Sequence, residues 1–410
     1  MMANKEVVVQ KYGGTSVATP ERIGRVADYI AKVAEDKNIV VVISAMGEET
    51  DRLLRLAKEV YGGEPPKGEL DKLLVTGEDQ SAPLLTLAIM RRGRTATSLD
   101  SRAIGLVCDP KGRVKGVRDV SKIKMLLDQE QVVIITGYQG IVEETGEVST
   151  LGRGGSEITT VALAAALGVG RCEVYSDVDG IYATDPRIVP AKRFDKISYE
   201  QLVPLAGAGG GKLMARSVKL AEKLGVEIKV LLSPSFGQTT GGTLVCSGST
   251  LEKMEGLETQ AGIAVRELRL IKVSNIPHEP GMANQIFEAI SDIVIRDVVQ
   301  PPPKDQAEIS LLCLPEYSSI ILSRLHGVKE SGAAGEIKPS DPLIVAGLTL
   351  VDTLMEDESG YLARITRALA RIKVNIEMLF SSGIAISVVV KEESYTKATQ
   401  ALAEEFGLLA

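Results

Sequence analysis

The sequence predicts an α/β domain on a parallel or mixed sheet, followed by two small α+β units of similar design. Three observations carry this. Short β-branched runs alternate with helical patterns through the front of the chain, the mark of repeated strand–helix units. The composition turns Gly/Ser-rich at 241–256 (GGTLVCSGSTLEKMEG), which reads as a domain exit. Beyond it, two segments repeat one order of strand, turn and helix.

The strands expected in the front domain are 6–12 (EVVVQKY), 39–44 (IVVVIS), 131–136 (QVVIIT), 172–177 (CEVYSD) and 227–232 (EIKVLL). They are nearly continuous apolar runs, as strands buried on both faces are. Ile23, Val26, Ala27, Ile30, Val33 and Ala34 form one stripe of a helix over 21–36, with Pro20 ahead of it. ITTVALAAAL at 158–167 is a helix apolar nearly all round, hence a buried one. GGEPPKG at 62–68 reads as a surface loop. In the tail, a strand at 269–274 leads into IPHEPGMANQIFEAISD. A second, at 347–352, leads into EDESGYLARITRALARI, then NIEML and a strand at 386–390. QPPPKD (300–305) and SGAAGEIKPSDP (331–342) are the Pro/Gly loops of this region. Paired units of this kind suit a ligand-binding module better than a second catalytic domain.

At 410 residues the chain exceeds one ordinary core and implies two or three domains. Aromatics at 4%, a net charge of −7 and the lack of a Lys/Arg-rich run argue against nucleic-acid or membrane-surface partners. No apolar stretch approaches the roughly 20 residues that cross a bilayer, and the N-terminus lacks signal-peptide form. Cys108, Cys172, Cys246 and Cys313 stand far apart and read as reduced core thiols of a cytoplasmic protein. Both histidines, His278 and His326, fall in the last third. The front domain therefore holds no Ser-His-Asp triad and no His-liganded zinc site. Lysines, arginines, carboxylates, hydroxyls and backbone amides remain, a palette suited to phosphoryl transfer.

Four glycine-rich turns concentrate that palette. KYGGTSV (11–17) joins the first strand to the first helix; Gly13 and Gly14 allow a tight turn with exposed amides, and Lys11 adds a charge. LGRGGSE (151–157) sets Arg153, with its planar fork, among glycines ahead of the buried helix. YSDVDGIYATDPR (175–187) follows a buried strand, where ligands of open α/β sheets sit. GAGGGKLM (207–214) presents Lys212, but is not a P-loop, because Ala206 and Leu213 break that pattern. Each turn alone reads equally well as tight backbone. Together they indicate a small-molecule phosphotransferase using Mg²⁺, with the substrate left open.

Taken in order, KYGGTSV, SAMGEETDRLL (44–54), TGE (76–78), TGYQG (136–140), LGRGGSE, SDVDGIYATDPRIV (176–189) and KISYEQL (196–202) resemble the aspartate kinase family. The resemblance covers about residues 5–245, and the tail is similar to the tandem ACT domains of that family. It implies an amino-acid kinase fold, a three-layer α/β/α domain over 1–250, with ferredoxin-like ACT units at 262–338 and 343–410. The implied reaction is ATP-dependent phosphorylation of L-aspartate, the first step toward lysine, threonine and methionine. By the same resemblance, Lys11 and Lys212 lie against the transferring phosphates, and Mg²⁺ bridges phosphates without dedicated protein ligands. Arg153 holds the α-carboxylate of aspartate and Glu78 its ammonium, with Thr50 and Ser156 completing the pocket. Gly13, Gly14, Ser176, Asp177, Tyr182 and Arg187 join the two lysines on ATP. A homo-oligomer through the ACT units, an amino-acid effector (lysine or threonine) and a separately translated regulatory subunit starting at Met254 are further implications.

Departures from the family pattern leave two other readings open: a kinase of a related amino-acid carboxylate, and a non-catalytic ligand sensor. Glu157 stands where the family carries Asp, one methylene shorter, in the place of a residue that would orient a lysine. Gly47 and Glu48 replace Ser and Gly, which brings a negative charge toward the expected phosphates. In the tail, IRD (295–297) and ESG (358–360) replace elements of the effector-site pattern, whereas HEPG (278–281) and NIE (375–377) keep theirs.

Overall fold

Val7, Val8 and Val9 open strand β1 (Val7–Tyr12), which is buried from Val8 onward. The computed structural model describes residues 5–210, 213–239, 241–252, 261–303, 305–330, 338–356 and 358–410. Lys212 and Met254 lie outside them. Contacts divide the chain into two units. The first is Met1–Ala183, Lys192–Gly207 and Gly211–Thr259; the second is Thr184–Ala191, Ala208–Gly210 and Gln260–Ala410.

After β1, Thr19 accepts a hydrogen bond from the Arg22 amide and Pro20 takes the first helical position, so α1 (Pro20–Val33) starts cleanly. It buries Ile23, Val26, Ala27 and Ile30, the stripe expected from the sequence. Next come β2 (Asn38–Ile43), α2 (Glu49–Tyr61), α3 (Lys67–Leu74), α4 (Thr76–Met90) and β3 (Ala96–Leu99). Then follow β4 (Leu106–Cys108), β5 (Val114–Val117), α5 (Ser121–Asp128), β6 (Val132–Thr136), β7 (Gln139–Val142) and β8 (Val148–Thr150). The unit continues with α6 (Gly155–Leu167), β9 (Arg171–Ser176), β10 (Lys196–Ser198), α7 (Tyr199–Ala208) and α8 (Ala215–Leu224). It ends with β11 (Glu227–Leu232), β12 (Thr243–Cys246) and α9 (Gly248–Glu252).

The main sheet has the order β10-β12-β11-β9-β1-β2-β6-β3. Six strands run parallel, and β12 turns antiparallel to β11, carrying β10 with it. The Gly/Ser-rich stretch read as an exit thus contributes a strand before the chain leaves. Side chains of β1 alternate between faces. Tyr12 points to the layer of α1 and α4, packed with Val41, Ile43, Leu85 and Ile89. Lys11 points to the other face, where α6 lies against β1 and β9. A small sheet, β5-β4-β7-β8, stands beside it. Cys108, Cys172 and Cys246 are buried here, as is Cys313 in the second unit.

The second unit holds β13 (Gly262–Pro277), α10 (Met282–Ala289), β14 (Ile295–Val299), β15 (Gln306–Cys313), α11 (Ser318–Glu330) and β16 (Lys338–Pro339). It continues with β17 (Leu343–Val351), α12 (Tyr361–Arg371), β18 (Met378–Ser382), β19 (Ala385–Lys391) and α13 (Tyr395–Glu405). One sheet, β14-β15-β13-β17-β19-β18 with β16 beside β13, runs through it. β13 extends well beyond the 269–274 expected from the sequence; Arg266 and Glu267 interrupt its apolar run and hide its first half. Its first half, Gly262–Leu270, pairs with β17; its second, Arg269–Pro277, pairs with β15. The second half therefore opens a βαββαβ unit with α10 through β16. The first half is the fourth strand of the unit made by β17, α12, β18, β19 and α13. Among the described residues no helix is long and apolar enough to cross a membrane.

Candidate active site

Four parallel strands end at one level. Tyr12 sits beside Ile43 and Tyr175, and Ile43 beside Thr136, so β1, β2, β9 and β6 release their following loops together. This is the carboxyl edge, where open α/β sheets bind ligands. The loops also touch: the Gly47 amide donates to the Gly14 carbonyl at 3.0 Å, and the Gly137 amide to the Ile43 carbonyl at 2.9 Å. A Cβ on Gly14 would stand 2.7 Å from the Ala45 carbonyl oxygen, so only glycine allows the first two loops to meet.

Two adjoining cavities open between these loops. The first, about 220 Å³, is lined by Thr50, Glu78, Tyr138 and Ser156, among others. The second, about 300 Å³, is lined by Gly13, Thr15, Tyr175, Ser176, Asp177 and Leu213, among others. Lys11, Gly14, Gly47 and Glu157 line both.

At that junction the Lys11 ammonium lies 3.3 Å from Glu157 Oε1, both side chains about 10% exposed. Glu157 sits in the first turn of α6. Its Oε2 accepts from the Met214 amide at 3.3 Å and the Ser217 hydroxyl at 3.4 Å. The longer carboxylate thus spans from Lys11 to the start of α8. α6 begins three residues before the apolar run because Gly154, at φ 76°, turns the chain into it and Gly155–Glu157 form its first turn.

Glu78 is 2% exposed at the start of α4. The Ala45 amide donates to its Oε1 at 3.0 Å, while its buried Oε2 has no partner among the described residues. Burial, with a smaller push from the Asp79 charge, raises the pKa of its carboxyl to about 8 against the pull of the Ala45 amide and its own. An unpaired acceptor on a residue that lines a cavity suits a cation or a donor. Ser44 donates to the Ser156 hydroxyl at 3.0 Å, which fixes the opposite wall.

The remaining expected residues divide. Ser176 and Asp177 stand together on the second cavity, the Ser176 hydroxyl donating to Asp177 at 3.0 Å. Arg153 is exposed; its neighbours Gly154 and Gly155 line the first cavity, and its charge reaches Tyr138. Tyr182 donates to Asp179 at 2.6 Å, beside the Asp179–Arg193 ion pair, and is absent from both linings. Arg187 belongs to the second unit, where it pairs with Asp185 at 2.6 Å. Lys212 is not described, although Leu213 next to it lines the second cavity. Glu48 is exposed and lines neither cavity, so its charge is turned to solvent. Gly47 has φ 53°, a conformation that explains glycine there. Ser44 and Tyr138 were missed as site residues. Ser44 ends a predicted strand and Tyr138 follows one, both inside quoted motifs, but the left-handed backbone of Tyr138 (φ 69°) has no signature in the sequence.

Known proteins share the fold that carries this site. Residues 6–231 match the model of the amino acid kinase family and residues 348–406 that of the ACT domain. An aspartokinase of Mycolicibacterium smegmatis is 36% identical over 411 residues, covering 98% of this chain and 96% of that one. An aspartate kinase of Pseudomonas fluorescens is 37% identical over 415 residues, covering 98% of each. E. coli aspartokinase III, solved with aspartate and ADP, shares the fold with a TM-score of 0.73 at 23% identity, over 98% of this chain and 100% of that one. The chain belongs to the aspartokinases of the amino acid kinase family.

Proposed function

We propose that L-aspartate occupies the first cavity and ATP the second, with Lys11 where the two meet. The observation that carries this reading is that both cavities share Lys11, Gly14, Gly47 and Glu157. As an aspartate kinase, the enzyme moves the terminal phosphoryl group of ATP onto the side-chain carboxylate of aspartate, giving 4-phospho-L-aspartate and ADP. One P–O bond to ADP breaks as one to the carboxylate oxygen forms.

That nucleophile is ionised at neutral pH, so the site needs placement and charge neutralisation rather than a base. Glu78 receives the substrate ammonium on its open Oε2. Arg153, at the rim, pairs with the α-carboxylate, and Thr50 and Ser156 supply hydroxyls. Gly13 and Gly14 offer amides to phosphate oxygens. Lys11, held by Glu157, and Lys212 offset the charge on the transferring group. Ser176 and Asp177 border the nucleotide, and Tyr182 extends that side.

Mg²⁺ would fit the second cavity, with Asp177 and Glu157 the carboxylates placed to face it. Among the described residues no three His, Cys, Asp or Glu side chains gather to hold a metal. Bound there, it supplies positive charge to the phosphates. We further assign 1–250 to the kinase domain and 262–338 and 343–410 to the ACT units, with Gly262–Leu270 lending a strand to the second. We assign lysine or threonine as effector of the ACT units, and a cytoplasmic homo-oligomer as the working form. Purified protein with ATP, Mg²⁺ and aspartate should form an acyl phosphate that hydroxylamine traps. Trapping with glutamate or N-acetylglutamate, and none with aspartate, would overturn the substrate assignment.

A further inference from the structure

Behind the first cavity lies a buried carboxylate with no part in the transfer just described. Asp71, on α3, is 4% exposed. Its Oδ1 accepts from the Thr150 hydroxyl at 2.8 Å and its Oδ2 from the Ser149 hydroxyl at 3.0 Å. Lys67, one helical turn earlier, forms an ion pair with it and reaches the Ser149 hydroxyl at 2.7 Å. A carboxylate taken out of water is costly unless such partners satisfy it, and here they come from a distant element, β8.

What β8 leads into gives the arrangement its meaning. Thr150 is the last residue of β8, and the turn that carries Arg153 and opens α6 begins at the next. Gly152 and Gly154 both have left-handed backbone (φ 73° and 76°), so the turn has little rigidity of its own. It is fixed from outside. The Leu151 amide donates to the Tyr138 carbonyl at 2.7 Å, and Arg216 donates to the Leu151 carbonyl at 2.9 Å. Thr150 is joined directly to Leu151, whose amide grips the Tyr138 carbonyl, and Tyr138 lines the first cavity. Asp71 therefore holds one hydroxyl that bears both on the turn and on a wall of the pocket.

We propose that Asp71 is a positioning residue for the amino-acid subsite, acting through Thr150 on Tyr138 and on the turn at 151–155. This rests on the reading of the first cavity as the aspartate pocket. Tightening that wall favours aspartate binding and leaves the nucleotide side untouched. The test is steady-state kinetics of Asp71→Leu, which removes the acceptor at similar volume, Thr150→Val, their combination and Thr150→Ser. Each of the first two should raise KM for aspartate about five- to tenfold, the worth of one hydrogen bond, with kcat and KM for ATP within about twofold. The double variant should be no worse than either single one, since both cut the same link. Thr150→Ser, which keeps the hydroxyl, should retain the parent KM. The proposal is overturned if the effects add, if KM for ATP moves in step with KM for aspartate, or if Thr150→Ser behaves as Thr150→Val. Should Asp71→Leu fail to fold, the two Thr150 variants still decide. Glu78→Gln runs beside them: if it too leaves KM for aspartate unchanged, the aspartate pocket itself has been misread, whereas a raised KM there with none at Asp71 or Thr150 rejects the relay alone.

Discussion

Glu78 is a nearly inaccessible carboxyl with one open oxygen, and burial has raised its pKa to about 8 from 4.5. In the empty enzyme it holds a proton at neutral pH, which an arriving ammonium must displace. Aspartate binding near pH 7 should therefore release close to one proton, read by calorimetry in buffers of different ionisation enthalpy; Glu78→Gln should abolish the release. KM for aspartate should fall about eightfold from pH 7 to 8.5, as the ionised fraction of the group grows. The stability sign follows from linkage. The folded group keeps its proton where the unfolded one has lost it, so stability declines as pH rises from 4.5 through about 8. Urea unfolding should show that decline, and Glu78→Gln should flatten it. Glu157 makes a different case. Its carboxylate bridges Lys11, the Met214 amide and Ser217, a span fitted to its length. Shortening to Asp, the residue usual in the family, should lower kcat here about ten- to hundredfold by withdrawing it from one end. An increase in kcat would mean that Glu157 impairs the enzyme.

Among elements, the decisive contact is loop on loop at the carboxyl edge. Gly14→Ala would drive a methyl to 2.7 Å from the Ala45 carbonyl and 3.0 Å from that of Gly47, neither a flexible side-chain end. The loops must part, so we expect a loss of about 1–3 kcal/mol in urea unfolding together with a raised KM for ATP. Unchanged stability would show that the loops move freely. Much of this edge was legible: the apolar runs marked β1, β2, β6, β9 and β11 to within a residue or so, and each glycine motif lay just past a strand or before a helix. Pairing was not. Nothing in VSTLGR says that its Ser and Thr answer an Asp on α3, because a hydroxyl bonded across the fold looks like any other in sequence. Tyr182 and Arg187 share one motif but fall in different units, since sequence proximity cannot report where a chain crosses between contact clusters. Nor was β12 visible, because its four residues lie inside a Gly/Ser-rich stretch that resembles a linker.

At the scale of the molecule, the tail's two units are physically one sheet, and β13 is the reason. Alternation sends Ile271 and Val273 to a core with α10 and α11, while Leu268 and Leu270 face the other side. There they meet Leu312 of β15, Val345 of β17 and Val389 of β19, so this second cluster draws on strands of both units. Leu270 sits at the crossing, fully buried, with Leu312 on one flank and Leu343 on the other. A repeat seen in sequence suggests two modules that unfold separately, each about as stable alone as in the pair. A shared strand predicts the opposite, because neither sheet keeps its order when β13 loosens. Leu270→Ala should cost about 2–5 kcal/mol. Amide exchange should then lose protection in β15 and in β17 through β19 to the same degree, as one cooperative unit. Loss confined to β15, with β17 and β19 still protected, would show that the two halves of β13 act as separate strands and that the modules are independent after all.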